Sequence, residues 1–419
     1  MHPLSRRSFF ALSAGAAAIT ATPTSRAVTP SRTSGLTRLV KTITPIAPKE
    51  RLARVTKLQS LMQKQNVGAL LVEAGATLEY FTGVQWWRSE RTTAALIPGR
   101  GALALVTPFF EEPSVRETLQ VEGDVRTWKE DESPFKLIAA LIRERAGDGP
   151  LAVDPTTRFF IVNSVGKESG AGRNIVPGDD LVRACRLIKS PAELALMQAA
   201  NDVTLAAIRH VHQHIESGMT AEDILSMHAE ATTALGGQHV DALVLLNEAS
   251  AYPHGSKKPQ SVRKGSVVLI DAVGALHGYQ SDITRTWIFG ADPTPRQREV
   301  WDTVKRGQEI ALETAKLGTP VGAIDKAVRA FYEGKGWSKD YGLPGTSHRT
   351  GHGIGMEVHE PAYLVRSDNT PLEAGMCFSD EPGIYIPGEF GVRLEDCWYM
   401  TETGPKLFTP LAASIERPI

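Results

Sequence analysis

Two histidines stand seven positions apart in a glycine-rich stretch, GHGIGMEVHE, at residues 351–360. Imidazoles are frequent metal ligands and acid–base groups, so His352 and His359 are the first candidates for chemistry. Glycine costs roughly 1 kcal/mol in a helix relative to alanine, and three glycines in five residues argue against a helix. On a straight strand, the odd spacing would place the two side chains on opposite faces. The chain must therefore bend between them, or they serve different sites.

A strand–turn–strand pattern between residues 266 and 289 contains two aspartates. The runs VVLIDAV and SDITRTWIF are strand-like, and GALHGY between them is turn-like. We place the turn on Leu276 and His277. Asp271 and Asp282 are then equidistant from it and face each other, with Cβ atoms roughly 4.5–5.5 Å apart. Opposed like charges destabilise a sheet, so a bound cation is the simplest compensation.

A second pair of acids equidistant from a turn occurs between residues 381 and 396, EPGIYIPGEFGVRLED. Gly388 is the midpoint between Glu381 and Glu395. With a turn over residues 387–389, these two glutamates also face each other across a hairpin. Two separate hairpins are therefore predicted to present two facing acids each.

Four carboxylates and one imidazole form a ligand set dominated by hard oxygen, with His352 as the single nitrogen ligand. This set suits two divalent ions of the manganese, cobalt, iron or zinc type. Manganese is the metal we expect, with cobalt or zinc as alternatives. Four negative charges balance two divalent ions and fit a bridging hydroxide that attacks a carbonyl group. His359 would then either contact a metal ligand without binding the metal itself or polarise the substrate.

These motifs, in this order, resemble those of the M24 metallopeptidase family with its α+β pita-bread fold. The matching stretches are YPHG (252–255), LIDAVGALHGYQSDITRTW (269–287), HRTGHGIGMEVHE (348–360), EPGIYI (381–386) and GVRLED (391–396). The preceding α/β domain resembles the creatinase/prolidase N-terminal domain, and the two-domain form resembles Xaa-Pro peptidases. The resemblance implies metal-dependent hydrolysis of the peptide bond before proline, in Xaa-Pro dipeptides or short peptides.

The resemblance also implies a role for each motif residue. The implied ligands of the two metal ions are Asp271, Asp282, His352, Glu381 and Glu395. Glu381 would in addition move the proton to and from the hydroxide, and His359 would stabilise the carbonyl oxygen. The other implied site residues are His254 near the leaving proline nitrogen, His348 in the substrate pocket, Tyr385 as a site hydrogen-bonding group or a packed core residue, and Arg393.

For Arg393 two roles stay open. Two residues before Glu395 on a strand, it points to the same face as that carboxylate. It either forms an ion pair that holds Glu395, or it contacts the substrate carboxylate or the metal cluster. Both roles can hold together.

Other functions compete with a dipeptidase. Aminopeptidase P acts on longer Xaa-Pro-Yaa peptides and differs in the depth of its pocket beyond the proline. The residues within the motifs slightly favour a dipeptidase. Methionine aminopeptidases generally lack the preceding domain. A non-catalytic binding protein on the same scaffold typically loses ligands, and a creatinase-like C–N hydrolase works without metal. The five retained ligands argue against both.

Length and composition fit a soluble two-domain protein. The chain has 419 residues, of which 42% are hydrophobic and 22% charged, and this length exceeds what one core usually organises. The formal net charge of −1 shows no excess of basic residues of the kind that binds nucleic acid. We expect an N-terminal α/β domain over residues 49–185 and the metallopeptidase domain over residues 186–419, opened by a helix with a capping box at Ser190 and Glu193. We also expect a homodimer.

The N-terminus indicates an export signal. Arg6 and Arg7 precede a small-residue apolar run over residues 11–21, which is too short for a stable membrane anchor. Twin arginines before such a run are typical of bacterial twin-arginine export, with cleavage after Ala27 and a linker over residues 28–48. A disordered basic tail is the alternative. We expect a periplasmic or secreted protein that meets the membrane only transiently during export.

Three cysteines, Cys185, Cys377 and Cys397, form no CxxC pair, which argues against a cysteine metal cluster. We expect buried free thiols. A single disulfide in an oxidising compartment is the alternative.

Overall fold

The computed structural model of the protein describes residues 33, 35–40, 43–170 and 172–419. The predicted export signal and the first residues of the predicted linker lie outside this part of the chain. Within it, no helix combines the length and the apolar character needed to cross a membrane. The three cysteines are buried free thiols, as predicted.

The N-terminal domain is a six-stranded mixed sheet with helices on both faces. Its strands are β1 (Ala69–Glu73), β2 (Ala94–Pro98), β3 (Leu103–Pro108), β4 (Gly123–Trp128), β5 (Leu151–Val153) and β6 (Ile175–Pro177), in the spatial order β4-β3-β2-β1-β5-β6. Its helices are α1 (Pro48–Lys64), α2 (Ala76–Thr82), α3 (Glu112–Thr118), α4 (Pro134–Arg145), α5 (Phe159–Ser169) and α6 (Asp179–Arg186). Strand β1 alternates its side chains between two cores, since Leu70 packs with α1 and Leu71 packs with α4.

The C-terminal domain combines four helices with three sheets, as the predicted α+β class requires. The helices are α7 (Pro191–His214), α8 (Ala221–Leu235), α9 (Pro295–Thr314) and α10 (Val321–Gly334). The first sheet, in the order β7-β8-β9, contains β7 (His239–Leu246), β8 (Val267–Leu276) and β9 (Tyr279–Ile288). The second, in the order β11-β10-β12-β15-β16, contains β10 (Gly351–Gly353), β11 (Glu360–Leu364), β12 (Cys377–Asp380), β15 (Asp396–Thr401) and β16 (Gly404–Leu407). Strands β13 (Gly383–Tyr385) and β14 (Gly391–Arg393) form a two-stranded sheet.

Local sequence signals define where the long helices begin. The predicted capping box is present at the start of α7, where the Ser190 hydroxyl accepts a bond from the Glu193 backbone and the Glu193 carboxylate accepts one from Ser190. Thr220 and Thr294 form the same reciprocal caps on α8 and α9. Helices α7 and α8 pack on the sheet β7-β8-β9, and α9 and α10 pack against the other two sheets. The helices thus form an outer layer, and the sheets face one another.

The turn of the first acidic hairpin, β8 and β9, lies one residue later than predicted. It is formed by His277 and Gly278, whose φ angles are 47° and 83°. A two-residue type I′ turn requires positive φ at both central positions. A turn on Leu276 and His277 would have placed a leucine in the conformation that glycine adopts at no steric cost.

This shift changes which side chains are paired across the hairpin. Asp271 pairs with Thr284, and Asp282 pairs with Val273. The prediction that the two aspartates oppose each other directly was therefore wrong. They remain diagonal neighbours on one face of the sheet, because their pairing positions differ by two residues.

The second acidic hairpin has the predicted register. Gly383 pairs with Arg393, so Glu381 and Glu395 stand opposite each other two positions further along. The strands that continue the hairpin, β12 and β15, keep the same register. The two glutamates thus point into the space between the sheets from facing backbones.

The two domains meet at a buried polar cluster and a shared apolar core. Arg54 of α1 contacts Glu193 of α7 at 3.2 Å and the Tyr279 hydroxyl of β9 at 3.1 Å. One apolar cluster includes Leu58 of α1 and Leu196 of α7. Helix α6 ends at Arg186, beside the predicted domain boundary.

Candidate metal centre

The sheets bring the predicted site residues to one cavity of about 570 Å³. Strands β8 and β9 supply the two aspartates, β10 supplies His352, and the two glutamates follow β12 and β14. The predicted residues that line the cavity are His254, Asp271, Asp282, His348, His352, His359, Glu381, Arg393 and Glu395. Tyr385 is fully buried next to this lining and contacts two of its members.

Asp282, His352 and Glu395 form the tightest group. One ligand atom from each lies within 4.8 Å of the others, and all three side chains are buried. The Nε2 atom of His352 is 3.6 Å from Asp282 Oδ2 and also 3.6 Å from Glu381 Oε1. The imidazole thus stands between two carboxylates, at separations that a metal ion would bridge.

The tautomer of His352 suits a nitrogen ligand. Its Nδ1 atom lies 3.0 Å from the Gly353 carbonyl oxygen, so Nδ1 carries the proton and donates it. The Nε2 lone pair then faces the carboxylates. Burial, followed by the neighbouring His359, lowers the pKa of His352 to about 3, which keeps the ring neutral.

The carboxylates are too close and too buried to be stable as anions without a cation. Burial first, and then the neighbouring carboxylates, raise the pKa values of Asp282 and Glu395 well above their usual range. Burial raises the pKa of Glu381 to about 8. Asp282 Oδ1 and Glu395 Oε1 are buried without a hydrogen-bond partner among the residues that the structure describes, an arrangement that is costly unless the oxygens are ligands. The donor set therefore fits divalent metal.

Asp271 is held by two groups. Arg393 Nη2 donates to Asp271 Oδ2, and the Thr284 hydroxyl lies 3.0 Å from Asp271 Oδ1. The same hydroxyl lies 2.7 Å from Glu395 Oε2, while Arg393 Nε is 4.0 Å from that oxygen. Arg393 thus contacts two predicted ligands of the metal cluster, with the closer ion pair to Asp271 and the more distant one to Glu395.

A directed chain of hydrogen bonds extends from Arg393 to His348. Arg393 Nη1 donates to the Tyr385 oxygen at 2.9 Å, and that hydroxyl donates to His348 Nε2 at 2.7 Å. His348 Nδ1 then donates to the Arg349 carbonyl at 2.8 Å. Burial, followed by the charge of Arg393, lowers the pKa of His348 to about 3. This ring is therefore neutral, and it contributes hydrogen bonds but no charge to the pocket.

The bend predicted between the two opening histidines is present. Residues 354–359 form an irregular loop between β10 and β11, and the rings of His352 and His359 meet edge to face with centroids 4.2 Å apart. His359 also borders a second cavity of about 380 Å³ between the domains. Burial lowers the pKa of His359.

Glu360 fixes the end of this loop. Its carboxylate accepts bonds from Arg186 and from Lys189 Nζ at 3.1 Å, and from the backbone N–H of Met356 at 2.8 Å. Arg186 lies at the end of α6, and Lys189 lies in the connection to α7. Burial by itself would raise the pKa of Glu360, but the charges of Arg186 and Lys189 and the hydrogen bonds together lower it to about 2, so the anchor is an anion.

Three residues of the site were missed in the sequence. Thr284 follows Asp282 by two positions and therefore shares its strand face, a signal that could have identified it. Arg349 and Asp241 also line the cavity. Asp241 could not have been placed there without the pairing of β7, which comes from a distant segment of the chain.

Comparison with known proteins gives two matching family descriptions. Residues 195–402 match the model of metallopeptidase family M24, and residues 54–188 match the creatinase/prolidase N-terminal domain. The chain is 32% identical to the Xaa-Pro dipeptidase of Lactobacillus helveticus, over 84% of this chain and 95% of that one.

Two solved structures have the same two-domain fold. The dipeptidase PepE from Mycobacterium ulcerans aligns with a TM-score of 0.79 at 28% identity, over 88% of this chain and 97% of that one. The prolidase from Thermococcus sibiricus aligns with a TM-score of 0.79 at 27% identity, over 86% and 97% of the two chains. The fold predicted from the motifs is thereby confirmed.

Proposed function

Because the chain belongs to metallopeptidase family M24, we propose that it is a metal-dependent dipeptidase that hydrolyses the bond before proline in Xaa-Pro dipeptides. The observation that supports this most directly is the buried Asp282–His352–Glu395 group, whose unpartnered oxygens need a cation. The similarity to an Xaa-Pro dipeptidase over most of both chains supports the substrate class.

The five predicted ligands would hold two divalent ions in the cavity. Asp271 and Asp282 approach from one sheet, and Glu381, Glu395 and His352 approach from the others. Such ions lower the pKa of water and polarise a carbonyl group. Manganese is the metal we expect, since oxygen ligands dominate the set, and cobalt and zinc remain alternatives.

The surrounding side chains would act on the substrate and its protons. Glu381 borders the cavity, with Oε1 3.6 Å from His352 Nε2, and would take a proton from attacking water and return it to the leaving amine. His359 and His254 line the same cavity and would polarise the carbonyl oxygen and bind near the leaving nitrogen. Arg393, through Asp271 and Tyr385, would hold the cluster and the pocket in one geometry.

The decisive experiment compares Ala-Pro with Ala-Pro-Ala as substrates. The purified protein is stripped with a chelator and then given manganese, cobalt or zinc. Cleavage of the dipeptide alone supports the proposal, and cleavage of the tripeptide identifies an aminopeptidase P. If neither is cleaved with any metal, the proposed function is wrong.

The homodimer is also a proposal. The N-terminal domain exposes Trp87, Phe109 and Phe110, with 72%, 59% and 57% of their surfaces accessible. Trp87 stacks on Trp86 with ring centroids 5.1 Å apart. Exposed aromatic residues in such number are typical of interaction surfaces, and a second copy of the chain would cover them. Sedimentation at micromolar concentration should give twice the monomer mass, and a monomer at all concentrations would contradict the proposal.

Export by the twin-arginine route rests on the sequence of the first 27 residues. Replacing Arg6 and Arg7 with lysine should trap the precursor in the cytoplasm. Normal export of that variant would remove the twin-arginine assignment.

A further inference from the structure

Strand β7 extends the face of the metal hairpin by one strand. In the sheet register, Asp241 pairs with Val273, and Val273 pairs with Asp282. Residues directly opposite each other share one face of a sheet, so Asp241 faces the same side as the ligand Asp282. Neighbouring strands lie about 4.8 Å apart, which places Asp241 roughly 10 Å from Asp282, and both line the same cavity.

The wall between these two carboxylates is apolar. Val273 lies directly between them in the register, and Leu243 stands opposite Asp271. Both side chains line the cavity and are only partly buried. From the metal cluster outwards, the wall therefore consists of an aliphatic strip that ends in a carboxylate.

The Asp241 carboxylate is exposed and makes no hydrogen bond or ion pair with any residue that the structure describes. The two arginines that line the cavity are engaged elsewhere. Arg393 is paired with Asp271, and Arg349 stacks over the ring of Tyr363 on β11 at 4.4 Å. The charge of Asp241 is thus available to a ligand.

We infer that Asp241 selects a cationic side chain on the residue before proline, so that Lys-Pro and Arg-Pro are the preferred dipeptides. This rests on the proposed function, which places the scissile carbonyl at the metal cluster. The α-ammonium group is one carbon away from that carbonyl and cannot reach a carboxylate two strands distant. A lysine or arginine side chain can, because its methylene stem covers the strip of Leu243 and Val273 while its charged head meets Asp241.

The test measures kcat/KM of the manganese-loaded protein for Lys-Pro and for norleucine-Pro, which has a side chain of similar length without the charge. We expect Lys-Pro to be favoured about three- to fivefold, as fits an exposed ion pair. The difference should lie in KM, since the contact is the same in ground and transition states. It should shrink in 0.5 M NaCl because the pair is screened.

Asp241→Asn should abolish the preference, so that this variant hydrolyses Lys-Pro and norleucine-Pro with equal kcat/KM, and Asp241→Lys should raise the rate for Glu-Pro relative to Lys-Pro. Glu248→Gln is the matched control, because Glu248 is exposed just after the same strand but does not line the cavity. Equal rates for Lys-Pro and norleucine-Pro in the unaltered protein, or a preference that survives Asp241→Asn, would overturn the inference alone. Failure to hydrolyse any dipeptide would overturn the proposed function and the inference with it.

Discussion

Hydrogen bonds to backbone carbonyl groups, and not bonds to a metal, orient individual side chains in this site. His352 presents Nε2 to the carboxylates because its Nδ1 proton is bonded to the Gly353 carbonyl. His348 presents Nε2 to Tyr385 for the same reason, with the Arg349 carbonyl as the acceptor. Two neutral histidines with fixed tautomers thus stand beside the acids, and they differ in what Nε2 faces. For His352 it is the carboxylates of Asp282 and Glu381, and for His348 it is the Tyr385 hydroxyl.

Substitutions of Asp282 and His359 distinguish a metal ligand from a group that stabilises developing negative charge. Asp282→Ala removes one of the three clustered ligands, so we expect loss of bound metal and of hydrolysis in a protein that stays folded. His359→Ala should retain the metal and lower kcat roughly 100- to 1000-fold, the effect of removing a group that stabilises developing negative charge. Metal content by elemental analysis, together with kcat, distinguishes the two. Unchanged kcat in Asp282→Ala, or loss of metal in His359→Ala, would reverse the assignments.

The loop between β10 and β11 is the element that places His359, and Glu360 anchors it. Glu360→Gln would remove the buried anion from Lys189 and leave Arg186 paired with the more exposed Glu357, so the loop should lose its fixed position. We expect kcat to fall about tenfold with metal content unchanged. Glu357→Gln is the control, because Glu357 also contacts Arg186 but is 41% exposed.

A double variant tests whether Glu360 acts on kcat through His359. If Glu360 acts by positioning His359, its substitution should have little further effect on kcat in a His359→Ala background. Independent, multiplying losses in the double variant would contradict the positioning role.

Helix α8 contains a group that should make the fold sensitive to acid. His228 is fully buried, and neither ring nitrogen has a hydrogen-bond partner in the described part of the chain. Burial lowers its pKa to about 4. Below pH 6.5 the unfolded chain binds a proton at His228 that the folded chain does not, so stability falls as the pH drops towards 4. The loss attributable to this residue is about 1 kcal/mol between pH 7.5 and pH 5.5.

Chemical denaturation of the unaltered protein and of His228→Leu at these two pH values checks this. The variant should lose less stability on acidification, by about the amount given. Identical losses in both proteins would show that His228 does not contribute.

Elements were predicted from the sequence to the extent that local residues define them. The register of the second hairpin followed from symmetry about Gly388, because its turn obeys that symmetry. The first failed by one position, because the left-handed conformation of His277 and Gly278, not the distance between the aspartates, sets the turn. The contribution of β7 to the cavity depends on pairing between distant segments, which no local pattern reveals.

At the scale of the whole molecule, the two domains share buried residues. Arg54→Met should remove the cation that faces Glu193 and Tyr279 across the domain boundary. Because an uncompensated buried charge costs about 3–5 kcal/mol, we expect a marked drop in melting temperature. We also expect one cooperative transition, since one apolar cluster spans both domains.

Adding Glu193→Gln to Arg54→Met should restore part of the lost stability, because the orphaned anion is then neutral. Calorimetry of the single and double variants provides the comparison. Two separate transitions in the unaltered protein would contradict the shared core, and a double variant less stable than the single one would contradict the charge argument.

Thr284 and Glu395 are joined by backbone bonds in both directions, from Thr284 N to Glu395 O at 3.2 Å and from Glu395 N to Thr284 O at 3.1 Å. The acidic segments of two different sheets are therefore joined by main-chain hydrogen bonds, in addition to the bond from the Thr284 hydroxyl to the Glu395 carboxylate. For an arriving ion, the protein behaves like a rigid macrocycle rather than an open-chain chelator. Metal uptake should then proceed as a simple second-order capture, with a rate proportional to ion concentration and no plateau from a slow rearrangement of the chain.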